Sequence, residues 1–387
     1  MKRIIYWGTA LGLAAFLAAC GGGDATPAGS IAPAGAPTTK GSFSTVVSFG
    51  DSLSDVGTYT PATSMTGNGA PPFLGGKFTN NSATSSIWVE NLAASLGVAI
   101  TPAEMGFAGQ SAPCPFVVNC TAYGQGGSRV TDPNGIGRST GALTVPMKTQ
   151  IANHLARFSS FKATDLIMVF GGANDVFTQF GGFVAAATQI QTDAAAGKLN
   201  AEQANLALFA AQSKAQGEMK KAALELAGYV RDQILAKGGK YVVVITLPDI
   251  ADTPFGNSLP ASVRPSLTDL SLVFNLWLRD GLGQQPVQII DAFAMFKDLY
   301  ANPGKYGLTN NTVPACDATK IKAITGGAVQ DGSSLFCNST AGAPYNGLRA
   351  GADVNTWQFA DGVHPTTRVH KIFSDAIAAQ LKSFGWL

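Results

Sequence analysis

Four short runs rich in β-branched and apolar residues stand out along the chain. Residues 44–49 stop at Gly50, residues 165–170 stop at Gly171-Gly172, and residues 240–246 stop at Leu247-Pro248. The fourth run is 287–291. Nearly continuous apolar runs of strand length predict strands buried on both faces. Between them the period changes. Residues 87–96 and 145–158 place apolar side chains at helical spacing, as do a long stretch from about 201 to 237, a stretch over 261–282 and a closing one over 373–384. Strand and helix alternate, which predicts an α/β domain with a parallel central sheet covered on both sides. In such sheets ligands bind beyond the carboxyl ends of the strands, so the residues just after each strand are the informative ones. Of the three histidines, His154 is expected on the solvated face of the 145–158 helix, and His370 in packing or at the surface of the last helix.

The amino terminus breaks this pattern. Lys2 and Arg3 precede a mostly apolar run over 6–19, too short to span a bilayer and typical of an export signal. Leu17-Ala18-Ala19-Cys20 resembles a bacterial lipobox, which implies cleavage before Cys20 and lipidation of its sulfur. Gly21 rather than Asp follows, which by resemblance to bacterial sorting signals points to the outer membrane. Residues 20–42 are rich in Gly, Ala, Pro and Thr and read as a flexible tether, leaving 43–387 as one folded domain.

Charge then narrows the function classes. The chain carries 26 Lys and Arg against 24 Asp and Glu, with only 13% of residues charged. Removing Lys2 and Arg3 with the signal leaves 24 against 24. A balanced chain lacks the basic stripe of a nucleic-acid binder and the charge excess of a disordered protein. Four cysteines remain after Cys20: Cys114, Cys120, Cys316 and Cys337. An even number in an exported chain suggests two disulfides, and four cysteines allow three connectivities. The sequence-local pairing, Cys114–Cys120 and Cys316–Cys337, is preferred because both segments look like polar loops. No CxxC pair occurs and no histidine lies near either pair, so no metal site or other cofactor is expected.

Three motifs carry the candidate chemistry, two of them after strands. They are Phe49-Gly50-Asp51-Ser52-Leu53-Ser54-Asp55, Gly171-Gly172-Ala173-Asn174-Asp175 and, near the carboxyl terminus, Asp361-Gly362-Val363-His364-Pro365. Tyr123-Gly124-Gln125-Gly126-Gly127-Ser128 lies between the first two. Together they hold what acyl transfer needs. A serine hydroxyl requires an adjacent base, and a base histidine requires a carboxylate to orient it. The tetrahedral oxyanion requires fixed donors. Ser52, His364 and Asp361 suit the first roles. The Ser52 N–H, a glycine N–H from 126–127 and the Asn174 amide suit the last. Asp51, Asp55 and Asp175 are expected to fix loops through hydrogen bonds.

This set resembles the GDSL (SGNH) hydrolase family, with the motifs in the family's order over nearly all of 43–387. Leu247-Pro248-Asp249, Asn302-Pro303 and Tyr306-Gly307-Leu308 add to the likeness. The resemblance implies a flavodoxin-like three-layer α/β/α sandwich. It implies Ser52 as nucleophile, Asp361 and His364 as the rest of a triad, and Asn174 as an oxyanion donor. The glycine donor aligns as Gly127, with Gly126 the alternative. The family's usual Asn ahead of that glycine is replaced by Ala122.

Two other motifs fail on context. Gly137-Arg138-Ser139-Thr140-Gly141 matches G-x-S-x-G, but turn residues precede it where a strand is required. Ser159-Ser160-Phe161-Lys162 matches S-x-x-K without its companion motifs. The expectation is a lipid-anchored esterase or lipase, with phospholipase and lysophospholipase activity included, acting on a small-molecule or lipid ester without an obligate protein partner. Phe73, Leu74 and Phe78 are candidate pocket wall. Acyl transfer and carbohydrate deacetylation are the chemical alternatives. A non-catalytic surface-binding lipoprotein is the alternative outside enzymology.

Overall fold

In the computed structural model, residues 35–63, 76–114, 119–342 and 345–387 are described. The expected signal, Cys20, most of the tether, Phe73 and Leu74 lie outside them. The chain divides into Met1–Ile31 and Ala32–Leu387, and all described residues fall in the second unit.

The four apolar runs are strands: β1 (Thr45–Gly50), β4 (Asp165–Phe170), β5 (Tyr241–Ile245) and β6 (Gln288–Ile290). They pair in parallel in the order β1-β4-β5-β6, with Gly50 opposite Phe170 and Ile245 opposite Ile290. β2 (Glu104–Phe107) and β3 (Gln110–Pro113) form a separate antiparallel hairpin. Residues 121–123 run beside β1. The Ser48 N–H donates to the Thr121 carbonyl at 3.0 Å and the Tyr123 N–H to the Ser48 carbonyl at 2.8 Å. That edge leads the chain into Gly124.

Ten α-helices are assigned among the described residues. In chain order they are α1 (Thr60–Thr63), α2 (Trp88–Ser95), α3 (Met147–Phe158), α4 (Ala173–Ala195), α5 (Ala201–Tyr229), α6 (Pro254–Ser258), α7 (Pro265–Leu282), α8 (Ala292–Ala301), α9 (Ala318–Ile324) and α10 (Thr367–Ser383). Side chains alternate across each strand, so the sheet has two buried faces. Val47, Phe49, Ile167, Val169, Val242 and Val244 pack with Met147, Met219 and Phe274 of α3, α5 and α7. Val46, Leu166, Met168, Val243 and Ile245 pack with Trp88, Phe373 and Ile377 of α2 and α10. The result is the expected three-layer α/β/α arrangement around a parallel sheet.

The structure adds elements the sequence pattern leaves unassigned, the β2–β3 hairpin and α8 among them, and two differences are instructive. α4 occupies a stretch that the apolar pattern leaves unassigned. Its midpoint, Gly181-Gly182, is exposed and a Cβ there would meet nothing within 4 Å. The helix is held by Val176 and Phe180, which bury into the core below it and outweigh the glycine propensity cost. His154 is the second correction. It is buried, stacked on Phe161 at 4.3 Å and edged by Tyr123 and Phe49. The apolar stripe of α3 is wider than the spacing suggested, and the imidazole ring packs as an aromatic within it.

Candidate active site

Ser52 begins a single 3₁₀ turn at the carboxyl end of β1, Ser52–Ser54. Asp51 caps this turn by accepting from the Leu53 N–H at 3.2 Å. Gly50 is required because a Cβ there would stand 2.2 Å from the Phe170 carbonyl oxygen. Gln150 of α3 fixes both polar groups of Gly50, accepting from its N–H at 2.9 Å and donating to its carbonyl at 2.8 Å. The strand end and the turn are therefore pinned before any ligand arrives.

The loop ahead of α10 meets this turn. His364 Nε2 lies 2.8 Å from Ser52 Oγ. On the other side of the ring, His364 Nδ1 lies 2.9 Å and 2.8 Å from the two Asp361 carboxylate oxygens. Asp361 is fixed in turn. Its Oδ1 accepts from the N–H groups of Val363 and His364 at 2.9 and 2.8 Å, and its Oδ2 from the Ser334 N–H at 2.8 Å.

Electrostatics follow from this geometry. Burial works to raise the Asp361 pKa, but the charge of His364 and the hydrogen bonds from His364, Ser334 and Val363 outweigh it and hold the carboxyl well below the usual range. Burial works to lower the His364 pKa, and the Asp361 charge and hydrogen bond reverse that and raise it. Asp51 goes the other way. Its burial lifts it to about 6, against the bond from Leu53 and the pull of His364.

Two more segments close around Ser52. In the first, Asp55 accepts from the N–H groups of Gly57, Thr58 and Gly126 at 3.0, 2.7 and 2.9 Å. Its burial lifts it to about 6 as well. The Gly126 N–H is thus engaged, and the Tyr59 hydroxyl donates to the Gly126 carbonyl at 2.7 Å. The Gly127 N–H has no acceptor among the described residues. Gly127 has φ +80°, and a Cβ there would stand 2.0 Å from the Ile136 carbonyl oxygen, so only glycine fits. In the second segment, Asn174 opens α4 and donates from Nδ2 to the Ser128 carbonyl at 2.9 Å. An amide nitrogen carries two hydrogens, so one remains available. Asp175 ties this helix to the same loop, accepting from the Val130 N–H at 2.9 Å and from Arg129 Nε at 3.0 Å.

Three further residues bear on the site. Ser334 acts through its backbone N–H, which leaves no side-chain signal. Phe78, a candidate pocket-wall residue, has its ring 4.9 Å from the His364 ring. His370 is buried, accepts at Nδ1 from the Trp88 N–H at 3.3 Å, and is lowered to about 3 by burial and by the nearby His364 charge. Both disulfides follow the sequence-local pairing, Cys114–Cys120 and Cys316–Cys337. The second closes the loop that carries Ser334, and the Cys316 N–H donates to the Ala360 carbonyl, one residue before Asp361, at 2.8 Å. Ser139 is exposed on a 3₁₀ turn that does not follow a strand. Among the described residues, no group of three or more His, Cys, Asp or Glu side chains is placed to hold a metal ion.

A family model described as GDSL-like Lipase/Acylhydrolase matches residues 46–377. No curated protein matches the chain.

Proposed function

The chain belongs to the family of GDSL-like lipases and acylhydrolases, and from that premise we propose that it hydrolyses carboxylic esters through an acyl-enzyme on Ser52. The observation that carries this reading is the continuous line from Ser52 Oγ through the His364 ring to Asp361. Ser52 Oγ attacks the ester carbonyl while His364 Nε2 takes its proton. Asp361 holds the ring orientation and balances the imidazolium that forms. The oxyanion is received by the Ser52 and Gly127 N–H groups and the free Asn174 hydrogen. Collapse breaks the bond to the alcohol, which leaves with the proton from His364. Water then repeats the sequence on the acyl-enzyme and releases the carboxylic acid.

Gly127 is favoured over Gly126 as the backbone donor because the Asp55 carboxylate already occupies the Gly126 N–H. Phe78 beside His364 and the low overall charge favour a neutral, partly apolar acyl group. The two disulfides agree with an oxidising compartment, and so with export through residues 1–19 and outer-membrane anchoring through a lipid on Cys20. Palmitate labelling that Cys20→Ala abolishes tests the anchor.

The enzymatic reading is tested with p-nitrophenyl esters of graded acyl length. Wild type hydrolyses at least part of the panel, and Ser52→Ala loses roughly four orders of magnitude in kcat/KM. Equal activity of the two proteins, or no activity of either on any ester, contradicts the proposal.

A further inference from the structure

We propose that Thr79, Asn80 and Asn81 form a positioning clamp for the reacting loop, with Asn81 at its centre. The inference rests on the reading of Ser52, His364 and Asp361 as the reacting set. No atom of the three clamp residues is bonded to that set, yet all three are buried, at 0%, 2% and 0% exposure.

Buried amides are retained where their hydrogen bonds are satisfied. Asn81 satisfies its own across two segments. Its Oδ1 accepts from the Lys77 N–H at 3.0 Å. Its Nδ2 stands 2.9 Å from the Lys77 carbonyl, 3.0 Å from the Thr79 carbonyl and 3.0 Å from the Ser334 carbonyl. The first two bonds shape the turn that presents Phe78 to His364. The third reaches the residue whose N–H donates to Asp361 Oδ2. Backbone bonds reinforce the link. The Asn81 N–H donates to the Cys337 carbonyl at 2.7 Å and the Ser339 N–H to the Asn81 carbonyl at 2.6 Å.

Its two neighbours grip the other side of the loop. Thr79 Oγ1 donates to the Pro365 carbonyl, one residue after His364, at 3.0 Å. Asn80 Oδ1 accepts from the Thr367 N–H at 2.9 Å, and its Nδ2 meets Thr367 Oγ1 at 3.2 Å. One five-residue segment thus fixes the ring over His364, the donor to Asp361 and the backbone on the far side of His364. Such a device sets the geometry of proton transfer, to which rates are steeply sensitive.

Asn81→Asp is the probe. It is isosteric and keeps the acceptor for Lys77, but sets a carboxylate against three carbonyls. Thr79→Val is the milder second variant, deleting the bond to Pro365 and the long 3.5 Å contact to Asn80 Oδ1, and serves if the first does not fold. Each is measured for melting temperature, for kcat and KM on a p-nitrophenyl ester, and for the pH profile of kcat/KM. The groups facing His364 are Asp361, Asp51, Asp331 and His370. Loosening the Ser334 donor leaves more of the Asp361 charge for His364, so the acid limb moves to higher pH. The expected result in a folded variant is a fall in kcat of roughly ten- to a hundredfold for Asn81→Asp, less for Thr79→Val, with KM nearly unchanged. A folded variant of either kind with wild-type kcat, or a folded Asn81→Asp with lowered kcat and an unmoved acid limb, overturns the clamp. Ser52→Ala run in parallel separates the two failures. If it stays active the reacting set itself is wrong, and if it is inactive while the clamp variants behave as wild type, only the clamp is wrong.

Discussion

His364 and His154 are the same side chain in two opposite settings, the first half-buried and the second buried. His364 has a carboxylate on one nitrogen and a serine hydroxyl on the other. His154 is ringed by Phe49, Tyr123, Phe158 and Phe161, with the cations Arg157 and Lys162 nearby. Burial disfavours the charged imidazole in both places. Only beside Asp361 is that cost reversed, so the pKa of His364 is raised while that of His154 is lowered to about 4. Burial alone makes a histidine an aromatic packing residue. A fixed carboxylate makes it a base that can carry a proton through a reaction.

The comparison can be broken most severely at Asp361. In Asp361→Asn, His364 loses the carboxylate bonded to its ring and moves towards the setting of His154, keeping only the more distant charges of Asp51 and Asp331. The expected loss in kcat is about a thousandfold or more. What activity remains should show its acid limb at lower pH than wild type, because the largest cause of the raised His364 pKa is gone. An unmoved limb in an active variant would mean that another group sets it.

The Cys316–Cys337 disulfide sharpens the same point at one remove. It closes the loop whose Ser334 N–H holds Asp361. Cys316→Ser with Cys337→Ser should lower stability by about 3 kcal/mol on chain-entropy grounds and reduce kcat severalfold. The paired change in Cys114 and Cys120 should lower stability with kcat retained, since that disulfide closes a short loop of its own, apart from the one that carries Ser334 and Asp361. Equal kcat losses for the two disulfides would contradict the difference between them.

The smallest expected effect is at His154. Its folded pKa lies below its ordinary value of 6.5, so the unfolded chain binds the proton first as pH falls. Its contribution to stability is full above about pH 6.5 and is lost progressively towards pH 4. His154→Phe should remove that slope and leave kcat unchanged. The readout is the difference between wild type and variant in chemical denaturation across this window. Asp51 and Asp55, which titrate near 6 in both proteins, then cancel. A variant as pH-sensitive as wild type would show that His154 is not the neutral packing residue described.

The strands were legible because a parallel sheet covered on both sides needs apolar residues at almost every position, and few other structures do. Ser52 and Asn174 were legible because each follows a strand closely, and Asp361 and His364 because they stand three residues apart just ahead of the last helix. α4 was hidden by Gly181-Gly182, whose cost is met by packing at Val176 and Phe180 rather than by local propensity. His154 was misplaced because helical spacing does not say how wide the buried stripe is. Ser334 was invisible because a backbone N–H has no sequence signature. Asn81 was overlooked because its bonds reach residues more than two hundred positions away as well as its own turn.

The most direct test of the central claim is covalent labelling with a fluorophosphonate followed by peptide mapping. The account predicts one modified residue, Ser52, with labelling that rises with pH as His364 loses its proton and that is lost in His364→Ala. Modification at any other serine, or labelling of Ser52 indifferent to His364, would contradict it.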